Sequence, residues 1–207
     1  HFLLLCCLQQ FIVLIYSYLL GSIPFGLVLT KLFLKQDIRN FGSGNIGTTN
    51  VLRTGKKALA LSTLILDVLK GYISVTLTIN FFENFTYLAA LTCFIAHIFP
   101  IWLKFKGGKG VATYLGIILA ISLKLAIIFG VVWLITILLF RYASLSSILS
   151  SLIILSYGVF LEENYLIILW IIIYIMINYS NRENIDRLKN SKESKNKLKF
   201  KYVITFL

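Results

Sequence analysis

The sequence has few of the residues that build metal sites and disulfide frameworks. Its 207 residues include three cysteines and two histidines, and no Cys-x-x-Cys pair occurs. Cys6, Cys7 and Cys93 all lie in apolar runs, where we interpret them as small apolar side chains. The sequence therefore predicts neither a bound metal nor a cofactor.

Three common patterns of catalytic residues are missing as well. A Ser-His-Asp arrangement is poorly supported, because the one plausible histidine, His97, lies in an apolar run. Neither histidine is followed five residues later by an aspartate, the dyad typical of thioester-using glycerolipid acyltransferases. A Walker phosphate loop is not matched, since Lys109 is followed by glycine and valine rather than by serine or threonine.

Charged residues are scarce and apolar residues are abundant. Hydrophobic residues make up 58% of the chain, charged residues 14%, and the mean hydropathy is +0.88, which indicates an integral membrane protein. The net charge of +12 would suggest nucleic acid for a soluble chain. Here the bias of Lys and Arg toward cytoplasmic loops, together with attraction to anionic lipid, explains it. No nucleic-acid partner is predicted.

The apolar segments predict an all-α fold, a polytopic bundle of seven transmembrane helices. The segments long enough to cross or nearly cross a bilayer fall at roughly 10–30, 58–79, 86–103, 111–123, 125–140, 144–160 and 165–179. A turn near residues 122–124 separates the fourth from the fifth, and six spans are the alternative. We expect residues 1–188 to form a single domain and residues 189–207 a basic tail, disordered or lying on anionic headgroups.

The distribution of charge predicts how the bundle is oriented. With seven spans, eighteen of the twenty basic residues fall on one side of the membrane. The opposite loops carry Glu83, Glu162 and Glu163, with Lys124 as their one basic residue. The positive-inside rule then places the N-terminus outside and the C-terminus in the cytoplasm.

A polar stretch after the first span, residues 42–53, is here called the first glycine loop. Its three glycines are predicted to turn backbone N–H groups inward around an anion. Thr48, Thr49 and Asn50 are interpreted as an N-cap cluster opening a helix. Arg53 follows one turn later and offers a planar fork suited to phosphate oxygens. The alternative is a flexible loop with a surface arginine.

Residues 106–110, Lys-Gly-Gly-Lys-Gly, form a second glycine loop on the same predicted side. Two polar features lie within the apolar sequence near it. Asp67 and Lys70 share a helix face, and they form either a structural ion pair or a support for the anion site. His97 is interpreted as a hydrogen-bonded structural residue, with a catalytic base as the alternative. Ser22 either lines a polar cavity or sits at a helix kink.

Five motifs in order now identify a resemblance to a known family. They are Gly21–Gly26, Gly42–Arg53, Asp67-x-x-Lys70-Gly71, His97-x-Phe99-Pro100 with Phe105–Thr113, and Arg182–Ile185 with Arg187-Leu188. Together they resemble the bacterial acyl-phosphate:glycerol-3-phosphate acyltransferases of the PlsY type. The chain departs from the usual family pattern at Asn181, where a histidine is common, and at Ser180.

The resemblance implies a seven-helix enzyme of the bacterial inner membrane with its site at the cytoplasmic face. Such enzymes transfer a fatty acyl group from acyl phosphate to glycerol-3-phosphate, and membrane lipid is their surrounding partner. By matching position, Ser43 and Lys109 are expected to be catalytic. The residues expected to bind substrate are Gly42, Gly44, Asn45, Gly47, Thr49, Asn50, Arg53, Lys106, Gly107, Gly108, Lys109 and Asn184; Ser22, Asp67, Lys70 and His97 are expected to support them.

A membrane carrier for phosphate or organophosphate is the alternative function. Against it, the polar residues cluster at one predicted face rather than at the midplane, and no inverted repeat is found.

Overall fold

The computed structural model describes residues 2–160 and 164–195, and these residues form helices and loops without a strand. The all-α prediction is confirmed. Contacts between Cα atoms divide the chain into two compact units, His1–Leu123 and Lys124–Leu207, which are described separately below.

The first unit is built around one long helix. Its α-helices are α1 (Phe2–Ser22), α2 (Phe25–Leu34), α3 (Thr48–Arg53), α4 (Lys57–Phe81), α5 (Thr86–Ile98) and α6 (Val111–Ile121). Short 3₁₀ turns occur at Ile38–Asn40, Glu83–Phe85 and Ile101–Leu103. Helix α4 packs against α6, α5, α3, α1 and α2, while α1 packs along α5. Both glycine loops therefore connect helices that contact α4.

Helices α4 and α6 approach each other closely enough to require glycine on both sides. A Cβ at Gly71 would collide with the carbonyl oxygen of Thr113, and one at Gly116 would collide with that of Val68. Small residues let helix backbones meet in this way, which is the usual solution for helix pairs in membranes.

The second unit contains α7 (Leu123–Phe140) from its second residue onward, α8 (Ala143–Phe160), α9 (Asn164–Ser180) and α10 (Arg182–Lys189). Helix α8 packs against α9, and α10 contacts both. Trp133 on α7 donates an indole N–H to the hydroxyl of Ser147 on α8 at 3.2 Å.

By length and composition, five helical segments of the described residues could cross a membrane. They are Leu3–Leu34, Lys57–Phe81, Glu83–Leu103, Leu123–Phe140 and Ala143–Phe160. Two shorter apolar helices, Val111–Ile121 and Ile167–Ser180, lie at the remaining two predicted spans. The chain is thus a multi-pass membrane protein, while the count of seven spans stays a prediction.

The helix boundaries follow the apolar runs closely, with one clear exception. The predicted break between the fourth and fifth spans is confirmed, because Ser122 is extended and separates α6 from α7. The first helix, however, begins at Phe2 rather than near residue 10. Residues 2–8 are themselves apolar, and the helix simply continues through Gln9 and Gln10. The predicted outer-loop residues Glu162 and Glu163, and residues 196–207 of the predicted tail, lie outside the described residues.

Candidate active site

One side chain, Asn50, organises the first glycine loop. Its Nδ2 lies within hydrogen-bond distance of the carbonyl oxygens of Ile38, Phe41 and Asn45, at 3.1, 2.9 and 2.8 Å. Its Oδ1 accepts the backbone N–H of Ser43 at 2.9 Å. Asn50 is buried, with 2% of its surface exposed. Because this amide is engaged by the loop itself, Asn50 shapes the site rather than presenting its side chain to a ligand.

The predicted cradle of inward-facing N–H groups is not what the loop forms. The Ser43 N–H is taken by Asn50, the Gly44 N–H donates to the Phe41 carbonyl at 3.0 Å, and the Gly47 N–H donates to Asn45 Oδ1 at 2.9 Å. A chain with this many turns must satisfy its own backbone groups first. This part of the prediction is therefore wrong for these three donors.

The glycines are needed instead for conformation and close packing. Gly42 and Gly44 have φ values of 59° and 70°, in the left-handed region that glycine adopts without strain. A Cβ at Gly42 would collide with Asn50 Oδ1 and would lie 3.3 Å from Cδ of Arg53. The loop thus brings the Arg53 side chain over Gly42.

The helix that follows starts differently from the prediction. Gly47, not the Thr48–Asn50 cluster, is its N-cap residue, and no side chain caps it. Helix α3 has six residues and ends at Arg53, which is exposed, as is Ser43. Thr49 lies half-buried within the helix. The cap prediction is wrong because Asn50 turns back to the loop, which leaves the N-cap position to Gly47.

The second glycine loop is bound to the C-terminal end of α5. The N–H groups of Gly107 and Gly108 donate to the carbonyls of Ile98 and His97 at 2.9 and 3.1 Å. These carbonyls lack partners within the helix, so the loop completes the helix end. A Cβ at Gly108 would collide with Nε2 of His97. The N–H groups of Gly107 and Gly108 are thus engaged by the helix end, and close approach explains the two glycines.

The two lysines of this loop supply positive charge, whereas its Gly107 and Gly108 N–H groups are already bonded. Lys106 is exposed, and Lys109 is half-buried between Gly108 and Gly110. Gly110 has a φ of 81° and rests against the ring of Phe94. The backbone on both sides of Lys109 is therefore fixed.

Asp67 and Lys70 lie side by side as their spacing predicted, and His97 is next to them. Lys70 Nζ lies 2.9 Å from Asp67 Oδ1, and both side chains are at most 3% exposed. His97 Nδ1 lies 3.8 Å from the same carboxylate oxygen and 3.1 Å from the hydroxyl of Thr113 on α6. Ser22, at the end of α1, accepts the indole N–H of Trp102 at 2.8 Å.

In the second unit, a glutamate that the sequence did not indicate holds the predicted residue Asn184. Asn184 Nδ2 donates to Glu193 Oε1 at 2.7 Å, and Arg187 Nε donates to Glu193 Oε2 at 2.7 Å. The Glu193 side chain is 7% exposed. Glu193 lies in the segment predicted to be disordered or to lie on anionic headgroups, and its spacing from Asn184 and Arg187 matches no local pairing rule. Asn181, where the family often has histidine, is fully buried.

Together, the fold and this arrangement define a multi-pass membrane protein whose polar and basic groups are gathered on loops at helix ends. Such loops suit small phosphorylated ligands. A glycerol-3-phosphate acyltransferase family model matches residues 11–191, and the chain belongs to this family.

Individual relatives agree with the family match. A glycerol-3-phosphate acyltransferase of Pelagibacter ubique is 50% identical over 191 residues, covering 92% of this chain and all of the relative. One of Mesorhizobium japonicum is 46% identical, covering 88% of this chain and 93% of the relative. The glycerol 3-phosphate form of PlsY, an integral membrane glycerol 3-phosphate acyltransferase, superposes with a TM-score of 0.86. That crystal structure is 36% identical and covers 94% of this chain and 98% of its own. Membership of an acyltransferase family overturns the carrier alternative.

Proposed function

We propose that this protein transfers a fatty acyl group from acyl phosphate to the sn-1 hydroxyl of glycerol-3-phosphate. The products are 1-acyl-glycerol-3-phosphate and phosphate. The observation that carries the proposal is the likeness to PlsY, whose structures are described as a glycerol 3-phosphate form and a lysophosphatidic acid form. The second form superposes on this chain with a TM-score of 0.83. One substrate and one product of the proposed reaction are thus ligands of a close structural relative.

The residues that we propose to bind the substrates lie on the two glycine loops and on α10. Ser43, aided by Lys109, binds the headgroup of acyl phosphate. Arg53 and Lys109 bind glycerol-3-phosphate, and Asn184 is proposed as a substrate-binding residue from its position in the family motif. The support for Arg53 is its exposed position over Gly42, and the support for Lys109 is its rigidly held backbone between two packed glycines. Asn50 enters as the residue that positions the first loop.

The chemistry needs no covalent nucleophile from the protein, because acyl phosphate is already an activated mixed anhydride. The glycerol hydroxyl oxygen attacks the acyl carbon and forms the ester bond, while the bond from that carbon to the phosphate oxygen breaks. The hydroxyl proton passes to a substrate phosphate oxygen, and phosphate leaves. Holding both reactants in line can supply about 7–11 kcal/mol of the barrier reduction. A well-placed cation on the departing phosphate adds about 3–4 kcal/mol.

We further propose that seven helices cross the bacterial inner membrane, with the N-terminus outside and the site at the cytoplasmic face. The support is the asymmetry of basic residues between the loops. It also includes the seven apolar helical segments, five of them long enough to span.

The decisive experiment is an assay of the purified protein in detergent with both substrates. We expect lysophosphatidate from acyl phosphate and none from acyl-CoA, without any sealed compartment. A K109A variant should lose nearly all turnover, because it loses the cation on the phosphates. Failure of the wild-type protein to form product from acyl phosphate would refute the proposal.

A further inference from the structure

We propose that the buried Asp67–Lys70 pair sets the separation of the two glycine loops and so acts as a positioning element for acyl transfer. This inference rests on the proposed function, since it assumes that each loop holds one of two reactants. Asp67 and Lys70 belong to α4. This helix contacts α2 and α3, which are joined to the first glycine loop, and α5 and α6, which are joined to the second.

On one side, Lys70 is hydrogen-bonded to the short segment between α1 and α2, and α2 leads toward the first glycine loop. Lys70 Nζ donates to the carbonyl oxygen of Ile23 at 2.8 Å, between α1 and α2. The ammonium group also lies 5.7 Å from the ring centroid of Phe25. One residue further, Gly26 packs so closely on the carbonyl of Ile46 that a Cβ would collide with it. Ile46 belongs to the first glycine loop, so the position of this loop depends on where Lys70 holds the start of α2.

On the other side, the pair faces the histidine on which the second glycine loop rests. Asp67 Oδ1 lies 2.9 Å from Lys70 Nζ and 3.8 Å from His97 Nδ1. The backbone carbonyl of His97 accepts the Gly108 N–H, and its ring Nε2 packs directly against Gly108. The same ring reaches the Thr113 hydroxyl at 3.1 Å. His97 therefore contacts Gly108, directly before Lys109, and Thr113, four residues after it.

The energetics of burial favour a positioning role over a purely stabilising one. Two charges taken out of water lose solvation that their mutual attraction only partly restores, and apolar replacements are often equally stable. What the charged pair provides is placement, because Lys70 holds the Ile23 carbonyl by a hydrogen bond while the Asp67 carboxylate packs beside the His97 ring at 3.8 Å. In a two-substrate reaction, a shift of about 1 Å between the reactants can lower the rate about 100-fold.

The test is a double variant, D67L/K70M, which replaces the pair by apolar side chains of similar size. We expect a protein that folds in detergent with a melting temperature close to wild type. Its kcat should fall about 10- to 100-fold, while the KM of each substrate changes less than about threefold. A merely structural pair would leave kcat unchanged in the folded variant, and that result would overturn the inference.

The matched control is T78V on the same helix. Thr78 is fully buried and hydrogen-bonded to Tyr16, two turns beyond Lys70. Its loss should leave kcat at the wild-type value. An equal fall of kcat in T78V would refute a specific role for the ion pair.

A second variant keeps the inference testable if the double variant does not fold. T113V removes the hydroxyl at His97 Nδ1 while keeping the shape of the side chain. T113V should lower kcat about 3- to 10-fold with little change in either KM. An unchanged kcat would count against a positioning role for the contacts among Asp67, His97 and Thr113.

A distance measurement separates failure of this inference from failure of the proposed function. Spin labels at K56C and K104C, in a background with the three native cysteines replaced by alanine, report on the chain beside each glycine loop. Both positions are exposed. We expect a narrow distance distribution in the wild-type background and a broader or shifted one in D67L/K70M. An unchanged distribution overturns the inference whether or not the protein makes lysophosphatidate, whereas an inactive wild type refutes only the function.

Discussion

At the scale of single residues, Arg53 gives the sharpest test of substrate binding. The R53A variant should raise the KM for glycerol-3-phosphate about 10- to 100-fold, because a hydrogen bond to a charged group is worth about 1.5–3 kcal/mol. R53K keeps the charge without the planar fork and should recover part of the loss. Steady-state kinetics with each substrate varied in turn measures the effect. A change confined to the KM of acyl phosphate would assign Arg53 to the other substrate.

Two glutamates near α10 provide a matched pair of substitutions. Glu193 is 7% exposed and accepts hydrogen bonds from Asn184 and Arg187, whereas the Glu183 side chain is 75% exposed. E193Q should lower the melting temperature and the activity. One of the two Glu193 oxygens, which accept hydrogen bonds from Asn184 and Arg187, becomes an NH₂ group that faces one of these donors.

E183Q should remain active, because no protein base is needed if a substrate phosphate accepts the proton. Thermal unfolding and turnover of both variants measure the difference. A dead E183Q enzyme that still binds both substrates would contradict the mechanism.

Asp37 should titrate far below the ordinary range of an aspartate. Hydrogen bonds from the Arg39 guanidinium lower the pKa of Asp37 from 3.8 to about 2. The lowered pKa means that this contact is complete above about pH 4 and is lost as the pH falls through about 2. Carboxyl-carbon NMR can follow it, since the chain has only three aspartates. In R39Q the midpoint should return toward 3.8, and an unmoved midpoint would exclude Arg39 as the cause.

The sequence indicated which residues form the polar site better than it indicated how they are bonded. Glycine spacing correctly placed two tight loops, but glycine only permits a conformation and does not say which acceptor each N–H finds. The N–H groups of Ser43 and Gly108 are bonded to Asn50 and to His97, seven and eleven residues away, and no local spacing rule specifies these partners. Only the three-dimensional packing of α3 and α5 against the loops determines such partners.

At the scale of elements, the packing of the second glycine loop against α5 can be tested with a single methyl group. G108A should lower activity at least 10-fold, because the new Cβ would collide with the His97 ring and displace the backbone beside Lys109. The control is G130A on α7, where an added Cβ meets nothing within 4 Å.

The control should retain full activity and gain up to about 1 kcal/mol of helix stability. Activity and thermal unfolding in detergent distinguish the two variants. Equal activity of G108A and wild type would mean that the loop can shift without consequence.

The apolar runs predicted most helices because residues facing lipid must be apolar over a whole span. They could not predict α10, whose sequence Arg182–Lys189 is short and polar. Its order depends on the hydrogen bonds that Glu193 accepts from Asn184 and Arg187. The polar composition of α10 by itself resembles that of a disordered tail.

At the scale of the whole molecule, the proposed orientation requires both glycine loops to share one face of the membrane. Cysteines introduced as K56C and K106C should react with a membrane-impermeant maleimide only after the cells are opened. E83C, in the loop proposed to lie outside, should react in intact cells. Labelling of K56C and K106C from opposite sides would end the proposal of a shared site.

The role of Asn50 has a consequence for how this region can evolve. Ordinary surface loops tolerate insertions and deletions, because their ends are fixed and their middle is not. Here one amide reaches back to backbone atoms of Ile38, Phe41, Ser43 and Asn45 at the same time. Adding or removing a single residue between Asn45 and Asn50 would put all of these partners out of reach together. In working relatives, the length of this segment should therefore vary less than its sequence.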